Sequence, residues 1–274
     1  MKIKAGNFMG KLENREVRFE RVIQIVNERK KITTKELSEL IGVSEMTVRR
    51  DLDILQKSGA LRRLHGFAAS LNNTSDNRMN SLEEFSYDLR YASIQHLKEK
   101  EKIAKYAASL IRPDDWIFMD NGTTTARIPS FLPNEIEFTV LCSNFALMEG
   151  LLKFSNIELV MSGGYYNKID QTFTSDQSQT FIRTLRAKKA FLSASGVHES
   201  LGITCINAHS VGNKRAFIES AAQRILLLDS SKFGVVTANY FAEFDEIDMV
   251  ITDSGITPKW IKILENHNID VRIA

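Results

Sequence analysis

Two stretches of this chain carry residues whose types and spacing suit the handling of phosphate groups. The first is SEMTVRRDLDILQK, where Ser44 is a good N-cap and Val48, Leu52 and Leu55 recur at i, i+4 and i+7. On a helix these three pack inward, and the opposite face centres on Met46, Arg50 and Lys57, flanked by Thr47, Arg49 and Asp53. An arginine there can take a guanine with two parallel hydrogen bonds, and a threonine can meet a phosphate or a thymine methyl. Base contacts come from the N-terminal half of such a helix, which nominates Glu45, Met46, Thr47, Arg49 and Arg50. Arg62 and Arg63 follow in ALRRLHG, a run that suits a strand and wing, and would reach the phosphate backbone. The competing description is a small helical domain with solvated arginines.

The second stretch is Asp120-Asn121-Gly122-Thr123-Thr124-Thr125, between the apolar run WIFM and an expected helix. A polar, glycine-containing loop at the carboxyl end of a strand offers backbone N–H groups, hydroxyls and a helix N-terminus to an anion. The same residues could serve only as helix caps. Three further strand ends are polar or glycine-rich: Ser143-Asn144, Ser162-Gly163-Gly164 and Ser195-Gly196-Val197-His198. Ligands of open α/β sheets bind outside such ends, so Asn144, Gly163, Gly164 and Gly196 join the candidates. His198 alone reads more readily as a surface or core histidine. Lys214, early in an expected helix, and Lys232, after ILLLD, suit a phosphate as point charges, although a solvated surface position is the default for either.

These groups need a scaffold, and the apolar pattern supplies one. Phe19, Val22, Ile23 and Val26 mark a first helix. Thr33 and Glu36 have capping-box spacing, Leu37, Leu40 and Ile41 form a stripe, and Gly42 stops the second helix. With the turn Gly42-Val43-Ser44 this is a helix-turn-helix. Leu71–Ser81 is polar and aperiodic, a linker, and a helix is expected over 82–111, broken near Lys98. Strands are expected at 116–120, 138–143, 157–162, 189–195, 225–229, 249–253 and 271–273, with helices to about 131 and 153 and near 208–223 and 258–266. Strands this uniformly apolar are covered on both faces, which implies an open, mostly parallel sheet. The expected division is 12–70 for a winged helix-turn-helix, 71–97 for linker and connecting helix, and 98–274 for an α/β effector-binding domain.

Charge agrees with that division. Residues 1–65 hold 15 Lys/Arg against 9 Asp/Glu, whereas the remainder holds 21 against 25. A basic end on a mildly acidic body places the polyanion at the N-terminus. No apolar run is long enough for a bilayer, MKIKAGNFMGKLENRE has no apolar core of a secretory signal, and Cys142 and Cys205 form no pair motif or metal spacing. The expectation is a cytoplasmic protein without membrane, metal or cofactor.

The run VSEMTVRRDLDILQKSGALRRLHG resembles the hallmark of the DeoR family of bacterial transcription regulators. It departs at Phe67, where the family usually has a second glycine after His-Gly. From about Lys98 to Asp253 the strings DNGTTT, SNFAL, SGGYY, ASGVH, NKRAFIESA and DSSKFG resemble the DeoR-type effector domain, similar in fold to ribose-phosphate isomerases and coenzyme A transferases. Asn121 replaces a more usual serine, and TFTSDQ lacks a glycine that many members carry. The resemblance implies a repressor of a sugar or nucleoside operon, bound to double-stranded operator DNA and controlled by a phosphorylated sugar cradled at the DNGTTT loop. GVHESLGITCIN is most similar to the subgroup answering to a deoxyribose phosphate. Specific DNA affinity from one small reading head needs two half-sites, so at least a homodimer is expected. Two other functions stay open: a sugar-phosphate isomerase using Asp120, Asp229 and Lys232, and a DNA-binding protein indifferent to any ligand.

Overall fold

The computed structural model describes residues 18–19, 21–57, 61–64, 67–69, 93, 95–168 and 170–274. The chain divides into two units, Met1–Gln95 and His96–Ala274. The linker expected at 71–81 and the first part of the connecting helix lie outside the described residues.

In the first unit, helix α1 (18–19 and 21–29) leads into strand β1 (Lys31–Thr33), helix α2 (Thr34–Ile41) and helix α3 (Glu45–Lys57). The capping box is present: Thr33 Oγ1 accepts from the Glu36 N–H at 3.1 Å, and Glu36 accepts from the Thr33 N–H at 3.0 Å. Gly42 ends α2 at φ +77°, a left-handed conformation that suits glycine, and its N–H reaches the Ser38 carbonyl at 2.9 Å. Ser44 starts α3, its Oγ accepting from the Thr47 N–H at 3.2 Å. Phe19, Val22, Ile23, Val26, Leu37, Val48, Leu52 and Leu55 form one core, as their spacing predicts. Leu40 does not join it and is exposed. Thr34, Leu37 and Ile41 share one sector of this short helix, and Leu40 lies on its far flank.

The wing has one strand more than its sequence announces. Strands β2 (Arg62–Leu64) and β3 (Phe67–Ala69) pair antiparallel, and β3 also pairs with β1. Phe67 sits beside Leu64 and Thr33 in register, with the Lys31 ammonium 4.6 Å from its ring centre. At this position the phenyl ring adds a cation–π contact that a glycine would lack.

The second unit opens with helix α4 (Leu97–Ser109) and then alternates. Strand β4 (Trp116–Met119) is followed by a 3-10 helix (Thr125–Phe131), β5 (Phe138–Cys142), α5 (Phe145–Leu151) and β6 (Ile157–Met161). A hairpin of β7 (Tyr165–Asn167) and β8 (Thr172–Thr174) precedes α6 (Asp176–Thr184) and β9 (Ala187–Ser193). Next come β10 (Gly196–His198), β11 (Gly202–Cys205), α7 (Ala208–Ser220) and β12 (Ala221–Leu227). β13 (Asn239–Ala242), β14 (Met249–Thr252), α8 (Pro258–Asn266) and β15 (Asp270–Ile273) complete the chain.

Seven of these strands form one parallel sheet in the order β15-β14-β12-β9-β4-β5-β6. Alternate residues feed opposite faces. Phe118, Leu141 and Leu192 pack with Ile182 of α6 and Phe217 of α7, while Ile117, Met119 and Val140 pack with Ile103 and Ala107 of α4 and Leu147 of α5. The strands expected at 189–195 and 225–229 begin and end earlier, at 187–193 and 221–227. The hairpin, α6 and the small antiparallel sheet β10-β11-β13 have no counterpart in the sequence reading.

Candidate functional site

In the first unit, the face of α3 opposite its core is open. Met46 is 60% exposed, Arg49 and Arg50 are exposed, and Thr47 is half-buried with its hydroxyl 2.9 Å from that of Ser44. Glu45 and Arg49 form a loose ion pair at 3.6 Å on the solvent side. Arg62 and Arg63 lie on β2, and their side chains are outside the described residues. The sequence reading missed what holds α3 in place. Arg18 of α1 clasps buried Asp51 at two points, 2.6 Å from Nε and 3.2 Å from Nη2.

In the second unit, the loop after β4 is built from inside the fold. Asp120 is fully buried. Its Oδ2 accepts from the Ser193 N–H at 3.0 Å and hydroxyl at 3.2 Å, and takes a close bond from the Lys214 ammonium. Lys214 also donates to the Ser193 carbonyl at 2.8 Å and stands 5.0 Å from the centre of the Phe241 ring. The lysine proposed from sequence as a phosphate-facing charge thus sits inside the fold, its ammonium surrounded. Gly122 allows the approach of the two segments, because a Cβ there would lie 2.4 Å from Ser193 Oγ.

Thr125 turns inward and donates to the carbonyls of Asp120 at 2.8 Å and Gly122 at 3.0 Å, while Thr123 is half-buried and Thr124 is buried. The helix that follows is a seven-residue 3-10 helix containing Pro129. A segment so short, without α-helical geometry, sums few peptide dipoles, so the expected dipole contribution to an anion site is small.

Asn121 donates to Ser210 at 3.2 Å, Ser210 to Asp170 at 3.0 Å, and Asn207 to the same Asp170 oxygen at 3.2 Å. Asn144 caps α5 by accepting from the Leu147 N–H, and its amide donates to the carbonyls of Asp170 and Gln171. Asp170, which the sequence reading passed over, is therefore the hub that ties the hairpin to the β4 loop and α7. Gly163 and Gly164 follow β6 at φ +73° and +110°, and Gly196 opens β10.

Lys232 ends a 3-10 turn (Ser230–Lys232) whose N-cap Asp229 accepts from the Ser231 N–H at 3.2 Å. Its charge acts on a residue that the sequence reading also missed, Lys100 of α4. Burial pushes the Lys100 ammonium down to about pKa 8, Asp229 draws it back up, and Lys232 and Arg127 push it further down. Lys100 thus lies in the combined field of Asp229, Lys232 and Arg127, and Arg127 itself pairs with Glu101 at 3.4 Å. A lysine partway along an otherwise polar-faced helix start gives no sign in sequence that it is buried.

Both halves of the chain match known families. The DeoR-like helix-turn-helix domain matches residues 18–74, and the DeoR C terminal sensor domain matches residues 95–254. The chain is 31% identical over 254 residues to the transcriptional regulator YulB of Bacillus subtilis, covering 93% of this chain and 95% of that one. It is 29% identical over 247 residues to the regulator IolR of the same organism, covering 89% and 93%. It is 29% identical over 255 residues to the deoxyribose operon repressor of Escherichia coli, covering 93% and 97%. Among solved structures, ribose 5-phosphate isomerase A of Methanocaldococcus jannaschii aligns with TM-score 0.36 and 20% identity over 49% of this chain and 53% of that one, a likeness in fold alone. The chain belongs to the DeoR family: it is a helix-turn-helix transcription regulator with a C-terminal sensor domain.

Proposed function

We propose that this regulator represses a sugar or nucleoside catabolic operon and leaves its operator when a phosphorylated sugar binds at the carboxyl edge of the parallel sheet. The observation that carries the ligand class is the Gly122-Thr123-Thr124 loop at the carboxyl end of β4, with Lys232 in the turn that follows β12 at the same edge of the parallel sheet. A cation at the same edge as a loop of N–H groups and hydroxyls matches a phosphate monoester in charge and in hydrogen-bond demand. Lys214 supports the cradle from beneath by holding Asp120. Two relatives, an aga operon transcriptional repressor and the deoxyribose operon repressor, are repressors of named operons, and the second fits a sugar-derived signal. The chain works in the cytoplasm as at least a dimer. The matches to regulator families support a ligand-binding regulator rather than an isomerase.

Melting followed against 2-deoxyribose 5-phosphate, ribose 5-phosphate and hexose phosphates tests the ligand class. A ligand of the folded state raises stability by RT ln(1 + [L]/Kd), so the midpoint should climb with concentration. Thr123→Ala and Lys232→Ala should each weaken that climb, and undiminished binding in both would move the cradle elsewhere. The pH dependence has a definite sign. An anion beside Lys100 favours its ammonium form, so affinity is expected to be steady from about pH 7, where the phosphate is a dianion, to about pH 8 and to fall above it, and Lys100→Met should abolish that fall.

On the DNA side, Arg50→Ala is expected to cost about 1–3 kcal/mol on a selected operator and little on scrambled DNA. Competition gel shifts at several salt concentrations measure this. Equal losses on both DNAs would reassign Arg50 to the backbone.

A further inference from the structure

The carboxyl ends of three neighbouring strands carry a row of polar side chains that the phosphate cradle does not use. In the sheet Met119 is the register partner of Cys142, and Cys142 of Met161. The residues that follow, Asp120, Ser143 and Ser162, therefore stand side by side, separated by about 4.8 Å per strand. They point to the same face, because Phe118, Leu141 and Val160, two residues earlier on each strand, all face the core cluster that contains Phe217 of α7. Asp120 and Ser143 are fully buried and Ser162 nearly so. Asp120 Oδ1, Ser143 Oγ and Ser162 Oγ are buried with no hydrogen-bond partner among the described residues.

Unpaired polar atoms inside a protein are unfavourable, and three in one row at a ligand-binding edge call for a shared partner. We infer that this row reads the hydroxyl groups of a polyhydroxylated carbon chain, with Asp120 accepting from one hydroxyl while Ser143 and Ser162 exchange bonds with others. The inference rests on the phosphate reading above and supplies the other half of the ligand. The row holds a carboxylate already paired with Lys214 and two neutral hydroxyls, which suits a neutral chain rather than a second anion. The β7–β8 hairpin borders the row. It starts just beyond Ser162 at Gly163 and Gly164, and the Phe173 N–H pins it to the Ser143 carbonyl at 2.7 Å. It is tied through Asp170 to α7 and the β4 loop.

The test uses the full-length protein with Ser143→Ala and Ser162→Ala, titrated calorimetrically with ribose 5-phosphate, 2-deoxyribose 5-phosphate, inorganic phosphate and unphosphorylated ribose. Each substitution is expected to weaken at least one sugar phosphate about tenfold while leaving inorganic phosphate within about twofold. The free variants should melt no lower than the parent, because alanine removes a buried hydroxyl that has no partner. That last readout separates ligand recognition from a structural role. Sugar phosphates bound with undiminished affinity by both variants would overturn the row and leave the phosphate cradle standing. So would free variants that melt markedly lower. Binding of ribose with no preference for its phosphate would keep the row and overturn the cradle. No binding of any of the four by the parent protein would overturn both.

Discussion

Lys214→Ala is expected to destabilise the sensor unit by about 3–5 kcal/mol, the range for removing one member of a buried ion pair. Both side chains are almost wholly shielded from solvent, at 3% exposure for Lys214 and none for Asp120. Without the ammonium, Asp120 keeps only the Ser193 N–H and hydroxyl, while its other oxygen already has no partner among the described residues. The Ser193 carbonyl loses a donor at the same time. The chain's tryptophans, Trp116 and Trp260, both belong to this unit, so fluorescence during urea unfolding follows it selectively. Pairing Lys214→Met with Asp120→Asn should cost less than the sum of the single changes, because each removes what the other leaves unpaired. A loss below about 1 kcal/mol for Lys214→Ala would show that the pair does not hold the loop.

Asp51→Ala is expected to cost the DNA-reading unit about 2–4 kcal/mol. The carboxylate is buried on the inner flank of α3 and takes a two-point contact from Arg18. The pair is an ionic link between α1 and α3, and it fixes the rotation of the helix that presents Arg49 and Arg50. The guanidinium is one-fifth exposed and can recover some hydration, which sets the lower end of the range. Amide exchange along α3 measures the loss in this unit by itself, and operator affinity should fall with it. Unchanged exchange in α3 would show that apolar packing of Val48, Leu52 and Leu55 suffices to orient it.

The parts of this molecule visible in the sequence are those with local signals. Thr33 and Glu36, Gly42 and Ser44 each act within four residues, and their caps appear as the spacing predicts. The long apolar strands of the parallel sheet are visible because both faces are covered. The hairpin and the β10-β11-β13 sheet were not visible: β7, β8 and β10 are three residues each, too short to display a period. Lys214 resembled a surface lysine because its partner lies 94 residues earlier. Its helix gave no warning either, with Ser210, Asn213, Ala216, Phe217, Ile218 and Ser220 buried around it and no polar face to contrast. Asp170 and Lys100 fail the same way. One is an isolated acid in a polar loop and the other a lysine among lysines, and only the folded chain brings Asp170 to Ser210 and Lys100 to Asp229.

For a ligand-controlled repressor, filling the carboxyl edge of the sensor sheet must weaken DNA binding. Fluorescence anisotropy of a labelled operator, selected from random DNA with the full-length protein, measures it directly during titration with sugar phosphates. A ligand releases DNA only to the extent that it prefers the DNA-incompetent state, and moving the population from almost all bound to almost all free needs a preference of about 10⁴-fold. The expected result is operator release by a pentose phosphate at concentrations that also raise the melting point, with both effects reduced in Lys232→Ala. A sugar phosphate that raises the melting point of the sensor unit and leaves operator affinity unchanged would contradict the account.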